Sequence, residues 1–379
     1  MPTQPMTERQ RFLAVMDYQP VDRVPNHEVG VWEQTKDRWQ QEGLNIYDLT
    51  WDWFTGCEHF ALDTREYIPV NFGMLPAFDV ETLEETERYI IYRHANGIIT
   101  RALKEGESRG MRASMDEYIG FPIKNRDDFR ELIKRFDPHL SGRYAPMWKT
   151  LRLPGWKQRQ HVLILGVNCS TLGFYWRARE WMGTEGVSYA WYDQPGLMHE
   201  MMEFIAEFTI EVSRPVLAEV TPDYIFINED MAMKNGPLLS PRAYRTFIFP
   251  HMRRLVDFYK RSGVPYVIVD TDGNSEPLIP LLMEAGVDGL WPLERASDMD
   301  PLLIRRKYGR DLRLWGGVDK RELTKDKAAI DTHLRSLAPL ITDGGFIPTV
   351  DHLVPPDVPL ENFYYYMEQK QRLLRGELG

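Results

Sequence analysis

Tyr266-Val-Ile-Val-Asp-Thr-Asp-Gly-Asn274 is a short β-branched run that ends abruptly in carboxylates and a turn, and its shape recurs along the second half of the chain. His161-Val-Leu-Ile-Leu-Gly-Val167, Asp223-Tyr-Ile-Phe-Ile227, Val287-Asp-Gly-Leu-Trp291, Arg313-Leu-Trp315 and Gly345-Phe-Ile-Pro-Thr-Val350 are runs of the same kind. Continuous apolar runs of this length read as strands buried on both faces. Between them lie longer segments of helical periodicity, for example Leu197, Met201, Phe204, Ile205, Phe208, Val212 and Val216 at spacings of three and four. Strands alternating with crossover helices form a parallel sheet. A further strand over Val24–Val29 and a weaker one over His59–Leu62 bring the number to eight, which closes a (β/α)8 TIM barrel. The competing open sheet normally carries a glycine-rich phosphate loop, and neither G-x-G-x-x-G nor G-x-x-x-x-G-K-[ST] occurs.

Thr7 followed by Gln10 forms a capping box and predicts a first helix over about residues 7 to 18. Tyr89-Ile-Ile-Tyr92 and Gly97-Ile-Ile-Thr100 predict a β-hairpin whose turn ends in Asn96-Gly97. The chain therefore reads as a single barrel domain, 1–379, with an N-terminal excursion or flap inserted over about 67–155.

With 46 Lys+Arg against 56 Asp+Glu in 379 residues the net charge is −10, and no basic cluster marks either end. This gives no footprint for a phosphate backbone or an anionic lipid surface, so neither nucleic acid nor membrane is an expected partner. Two cysteines far apart, Cys57 and Cys169, exclude a disulfide scaffold and a thiolate zinc site. No signal peptide and no apolar run near the roughly 18 residues of a spanning helix are present, which leads to the expectation of a cytoplasmic protein.

In a barrel of this kind the chemistry lies at the C-terminal ends of the strands. Asp270 and Asp272 follow one strand, Glu229 and Asp230 another, Trp291 and Glu294 a third, and Asp351 and His352 the last. Asp270 and Asp272 point to the same side of an extended chain, where two carboxylates repel unless a proton or cation lies between them. Glu294 and His352 arrive from neighbouring strand ends, so Asp270, Asp272, Glu294 and His352 are candidate ligands of a divalent metal, with zinc, magnesium and calcium all open. The alternative is that these carboxylates cap the following helices. Glu28 and Tyr175 are candidate substrate-orienting or proton-handling groups, as is Asp230. Asn168, Trp176, Glu229 and Trp291 are candidate pocket residues.

Taken together, Glu8-Arg-Gln-Arg-Phe-Leu13, Asp22-Arg-Val-Pro25, Leu239-Ser-Pro-Arg-Ala-Tyr244, Asp272-Gly-Asn274, Gly286-Val-Asp-Gly-Leu-Trp-Pro-Leu-Glu294 and Gly316-Gly-Val-Asp319 resemble the uroporphyrinogen decarboxylase superfamily. The resemblance spans most of the chain and implies a barrel with its active site at the C-terminal mouth. It implies one of two activities: cofactor-independent decarboxylation of a porphyrinogen, or zinc-dependent methyl transfer involving a corrinoid protein. The decarboxylases carry an arginine-rich R-Q-A-G-R motif after the first strand, where this chain has Asn26-His-Glu-Val-Gly-Val-Trp32. At the positions where the methyltransferases hold zinc through His-x-Cys and Cys, this chain has Asp270-Thr-Asp272 and His352.

The expectation is a metal-dependent methyltransferase that moves a methyl group from a small O- or N-methylated donor to a corrinoid carried by a partner protein. The implied metal is zinc, and a homodimer is left open. The alternatives are a cofactor-independent decarboxylase of another acid, with Asp272 or Asp230 stabilising a protonated intermediate, and a ligand-binding barrel without turnover.

Overall fold

The computed structural model describes residues 5–48, 55–105, 107–108, 111–112, 116–166 and 173–378. Seven parallel strands form one curled sheet in sequence order: Arg65–Tyr67, Val162–Leu165, Tyr224–Asn228, Tyr266–Asp270, Gly289–Leu293, Arg313–Val318 and Phe346–Val350. Alternate residues of these strands enter two different cores, as the two-residue period requires. Val162, Ile164, Tyr224, Phe226, Ile268, Trp315 and Ile347 fill the interior. Leu163, Leu165, Ile225, Ile227, Val267, Val269 and Leu314 pack outward against the crossover helices, among them Pro195–Leu217, Phe249–Arg261 and Lys327–Asp343.

The eighth position is filled without a regular strand, which corrects the expectation for Val24–Val29. The extended segment there is buried and bonded to both neighbours: Asn26 O accepts from Asp63 N (2.8 Å), and Glu28 Oε2 accepts from Val350 N (2.8 Å). A parallel bridge pairs Val31 with Val354. Pro25 has no N–H to give to a ladder, so side-chain bonds complete the closure. The strand expected at His59–Leu62 is a 3₁₀ turn, Glu58–Phe60, ended by Ala61 at φ 50°; the first barrel strand lies just beyond it, at Arg65–Tyr67.

The first helix runs Glu8–Met16, with both bonds of the Thr7/Gln10 capping box formed. Its Phe12 closes the N-terminal end of the barrel against Tyr224 and Trp315 (centroids 5.4 and 5.8 Å). The expected hairpin is present as Tyr89–Arg93 and Ile99–Leu103, inside a four-stranded antiparallel sheet with Glu81–Glu85 and Glu117–Gly120. That sheet meets the helix Phe174–Asp193 through an Asn96 Nδ2 to Glu180 Oε1 bond of 3.0 Å. Among the described residues no helix is long and apolar enough to cross a membrane.

Candidate functional site

The strand Tyr266–Asp270 delivers Asp270 to the mouth as a buried carboxylate, which accepts Asn228 Nδ2 at 2.5 Å. Burial, with the nearby negative charges of Asp272, Asp230 and Glu294, raises its pKa well above the ordinary carboxylate range. Asp272, one turn of the pleat further on, reaches His352, with Oδ2 and Nε2 3.5 Å apart. Burial works against a charged imidazole at His352, but the adjacent Asp272 outweighs it and the pKa is raised. Glu294 accepts from Gly273 N (2.8 Å) and from Lys320 Nζ (3.3 Å). Asp351 is fully buried, accepts from Arg295 N (3.0 Å) and Lys320 N (3.2 Å), and has its carboxyl pushed up by burial to about 6.

Asp272, Glu294, Lys320 and His352 line a cavity of about 440 Å³, to which Trp32 and Leu353 add apolar surface. Lys320 is the group that sequence reasoning missed. Its ammonium lies 3.3 Å from Glu294 and 3.9 Å from Asp351, so it supplies positive charge to the acidic mouth. The signal was available: the strand read as ending at Trp315 continues through Gly316 and Gly317 to Val318, which puts Lys320 at a strand end.

The four expected metal ligands are brought to one mouth but not into one coordination set. Among the described residues no three His, Cys, Asp or Glu side chains are gathered to hold a metal ion. Asp270 is hydrogen-bonded to Asn228, and Glu294 to Lys320 and a backbone N–H.

Other candidates take different places. Glu28 is buried in an ion pair with Lys370 (2.5 Å) and also accepts from Tyr366 Oη (2.5 Å) and Val350 N, so it locks the barrel closure. Glu229, expected in a pocket, caps the helix Phe174–Asp193 by accepting from Phe174 N (3.0 Å) and Tyr175 N (2.7 Å). Burial nonetheless pushes its carboxyl up to about 7. Gly173 is required there, because a Cβ would lie 1.7 Å from Asn228 O. Trp291, also expected in a pocket, is buried in the barrel interior against Phe226 (5.7 Å). Tyr175 is buried, and burial pushes its phenol up to about 12. Asp230, at φ 38°, pairs with Arg179 Nη1 at 2.8 Å, and burial raises its pKa. Trp176 lies under the Arg179 guanidinium, 5.3 Å from it. Asn168 lies outside the described residues.

A family model described as uroporphyrinogen decarboxylase (URO-D) matches residues 110–372. A uroporphyrinogen decarboxylase of Pelobacter propionicus is 30% identical over 145 residues, 37% of this chain and 40% of that protein. One from Gloeobacter violaceus is 23% identical over 283 residues, 70% of this chain and 73% of that protein. Among solved structures, a methyltransferase from Methanosarcina mazei superposes with a TM-score of 0.59 at 15% identity, covering 97% of this chain and 99% of the other, a likeness of fold.

Proposed function

This chain belongs to the uroporphyrinogen decarboxylase family, and on that premise we propose that it is a methyltransferase, taking a methyl group from a small O- or N-methylated compound at the barrel mouth. The acceptor is a corrinoid carried by a partner protein that docks over the mouth and supplies the electron pair for the new bond to carbon. The observation that supports this reading is the His352–Asp272 pair on the wall of the cavity, with Lys320 beside it.

Breaking the bond between a methyl carbon and an ether oxygen leaves negative charge on that oxygen, which must be neutralised as it forms. His352, held towards the charged form by Asp272, which faces its Nε2, gives the ring proton not turned to Asp272 to the departing oxygen, and the methyl group passes to the acceptor. His352 regains its proton from solvent. Lys320 adds a fixed positive charge on the same wall. Asp270, Asp272, Glu294 and His352 are the residues that would hold a divalent metal at this mouth, and no step is routed through one.

Porphyrinogen decarboxylation draws no such support. Where the family's decarboxylases carry arginines, this chain has Asn26, His27 and Glu28, all buried, and nothing there can clamp a polyanion. The test is incubation with chemically reduced free cobalamin and a panel of methoxybenzenes and methylamines. Methylcobalamin formation is expected; carbon dioxide release from uroporphyrinogen with no methylcobalamin from any donor would refute the reading.

A further inference from the structure

The strand Arg313–Val318 ends in a closely fitted turn that carries Lys320 to the mouth. Gly316 and Gly317 have positive φ (107° and 79°), and a Cβ would lie 2.7 Å from Leu293 N at the first and 2.7 Å from Pro301 Cγ at the second, so the backbone is pressed against its neighbours. Beyond this step His333 reaches in from the helix Lys327–Asp343. Its Nε2 accepts from Asp319 N at 2.9 Å and the ring also bonds the Gly317 backbone, so one imidazole spans the turn on both sides of Val318. Burial, and then the charge of Arg295, lower the pKa of His333 against the pull of Asp319 and Glu322, which leaves the ring neutral and Nε2 able to accept. The next N–H along, that of Lys320, goes to Asp351 Oδ1 (3.2 Å), and the Lys320 ammonium then lies 3.3 Å from Glu294 and 3.9 Å from Asp351.

Asp319 is buried, and a buried N–H that loses its acceptor is costly enough to move the backbone towards another partner. Asp319 is one residue from Lys320, so such a movement passes directly to the ammonium, and a charge aimed at a departing oxygen tolerates little misplacement. We propose that His333 is a positioning residue: by holding Asp319 N, its Nε2 sets the place of the Lys320 ammonium between Glu294 and Asp351. The consequence for rate rests on the methyl-transfer reading, whereas the consequence for Lys320 itself does not.

The experiment measures acetylation of Lys320 in the full chain by N-hydroxysuccinimidyl acetate, read by peptide mass spectrometry against Lys149, a lysine in an exposed pair with Glu219. In wild type Lys320 is expected to react more slowly than Lys149. His333→Phe, which keeps a ring but no acceptor, is expected to speed Lys320 acetylation about fivefold, the worth of one hydrogen bond. His333→Ala serves if His333→Phe does not fold. His333→Gln, whose Oε1 stands where Nε2 did, is expected to restore slow acetylation. In methylcobalamin formation His333→Phe is expected to lower the rate at saturating donor roughly tenfold with the donor KM unchanged, and to cost nothing further in a Lys320→Ala background. Lys320 as reactive as Lys149 in wild type, unchanged Lys320 acetylation in a folded variant without the acceptor, no rescue by His333→Gln, or an additive loss in the Lys320→Ala background would overturn the proposal. Should wild type transfer no methyl group from any donor, the methyl-transfer reading fails, and the acetylation rates still decide on His333.

Discussion

Glu28 Oε2 accepts the backbone N–H of Val350 at 2.8 Å, so a side chain from near the start of the chain pins the strand end that carries Asp351 and His352. The other carboxylate oxygen is held by Lys370 and Tyr366, and both charges of the pair are buried. Removing one partner of a buried pair strands the other, at a typical loss of about 3–5 kcal/mol. Glu28→Ala is expected to lose that much in urea unfolding, whereas Lys325→Ala, in an exposed pair with Glu322, is expected to change stability by less than about 1 kcal/mol. Equal small losses in both would show that the closure does not rest on Glu28.

Lys320 supplies positive charge to the mouth carboxylates, from which a second expectation follows. Dialysis against a chelator is expected to leave the thermal midpoint and the methyl-transfer rate unchanged. A loss of either that zinc or magnesium restores would show that the mouth is a metal centre after all.

Glu229 gives a pH signature. An ordinary glutamate titrates near 4.5 and the folded Glu229 near 7, so between these values the folded chain holds a proton that the unfolded chain has released. Its contribution to stability is complete below the lower value and is lost as pH rises through the upper one, a change on the order of 3 kcal/mol. Asp351 adds a fall of the same sign at lower pH. Glu229→Gln is expected to flatten the decline between pH 5 and pH 8 in urea unfolding; an unchanged decline would remove Glu229 as its source.

The barrel was legible because strands buried on both faces have to be apolar throughout, as in Tyr266–Asp270 and Phe346–Val350. The first strand was not, because Arg65 and Glu66 are charged. Each is bonded to partners far along the chain, Arg65 Nη2 to Glu28 O and Glu66 to Trp156 and His161, and no local pattern reports such bonds. The mouth was legible as a ring of carboxylates, since strand ends can be read from the strands. What the carboxylates bind was not: Glu229 facing a helix N-terminus and Glu28 facing Lys370 depend on side-chain direction, and Lys320 lies beyond a Gly-Gly step that masked the strand's true end.

The most direct test of the central claim, that His352 charged against Asp272 protonates the departing group, is the rate of methylcobalamin formation from a methoxybenzene and reduced cobalamin by wild type and His352→Ala, measured across pH. The account predicts a wild-type rate that falls as pH rises through the His352 titration, a loss of about 10²- to 10⁴-fold in His352→Ala at neutral pH, and no such pH dependence in the variant. A His352→Ala enzyme as fast as wild type, with the same pH profile, would contradict it.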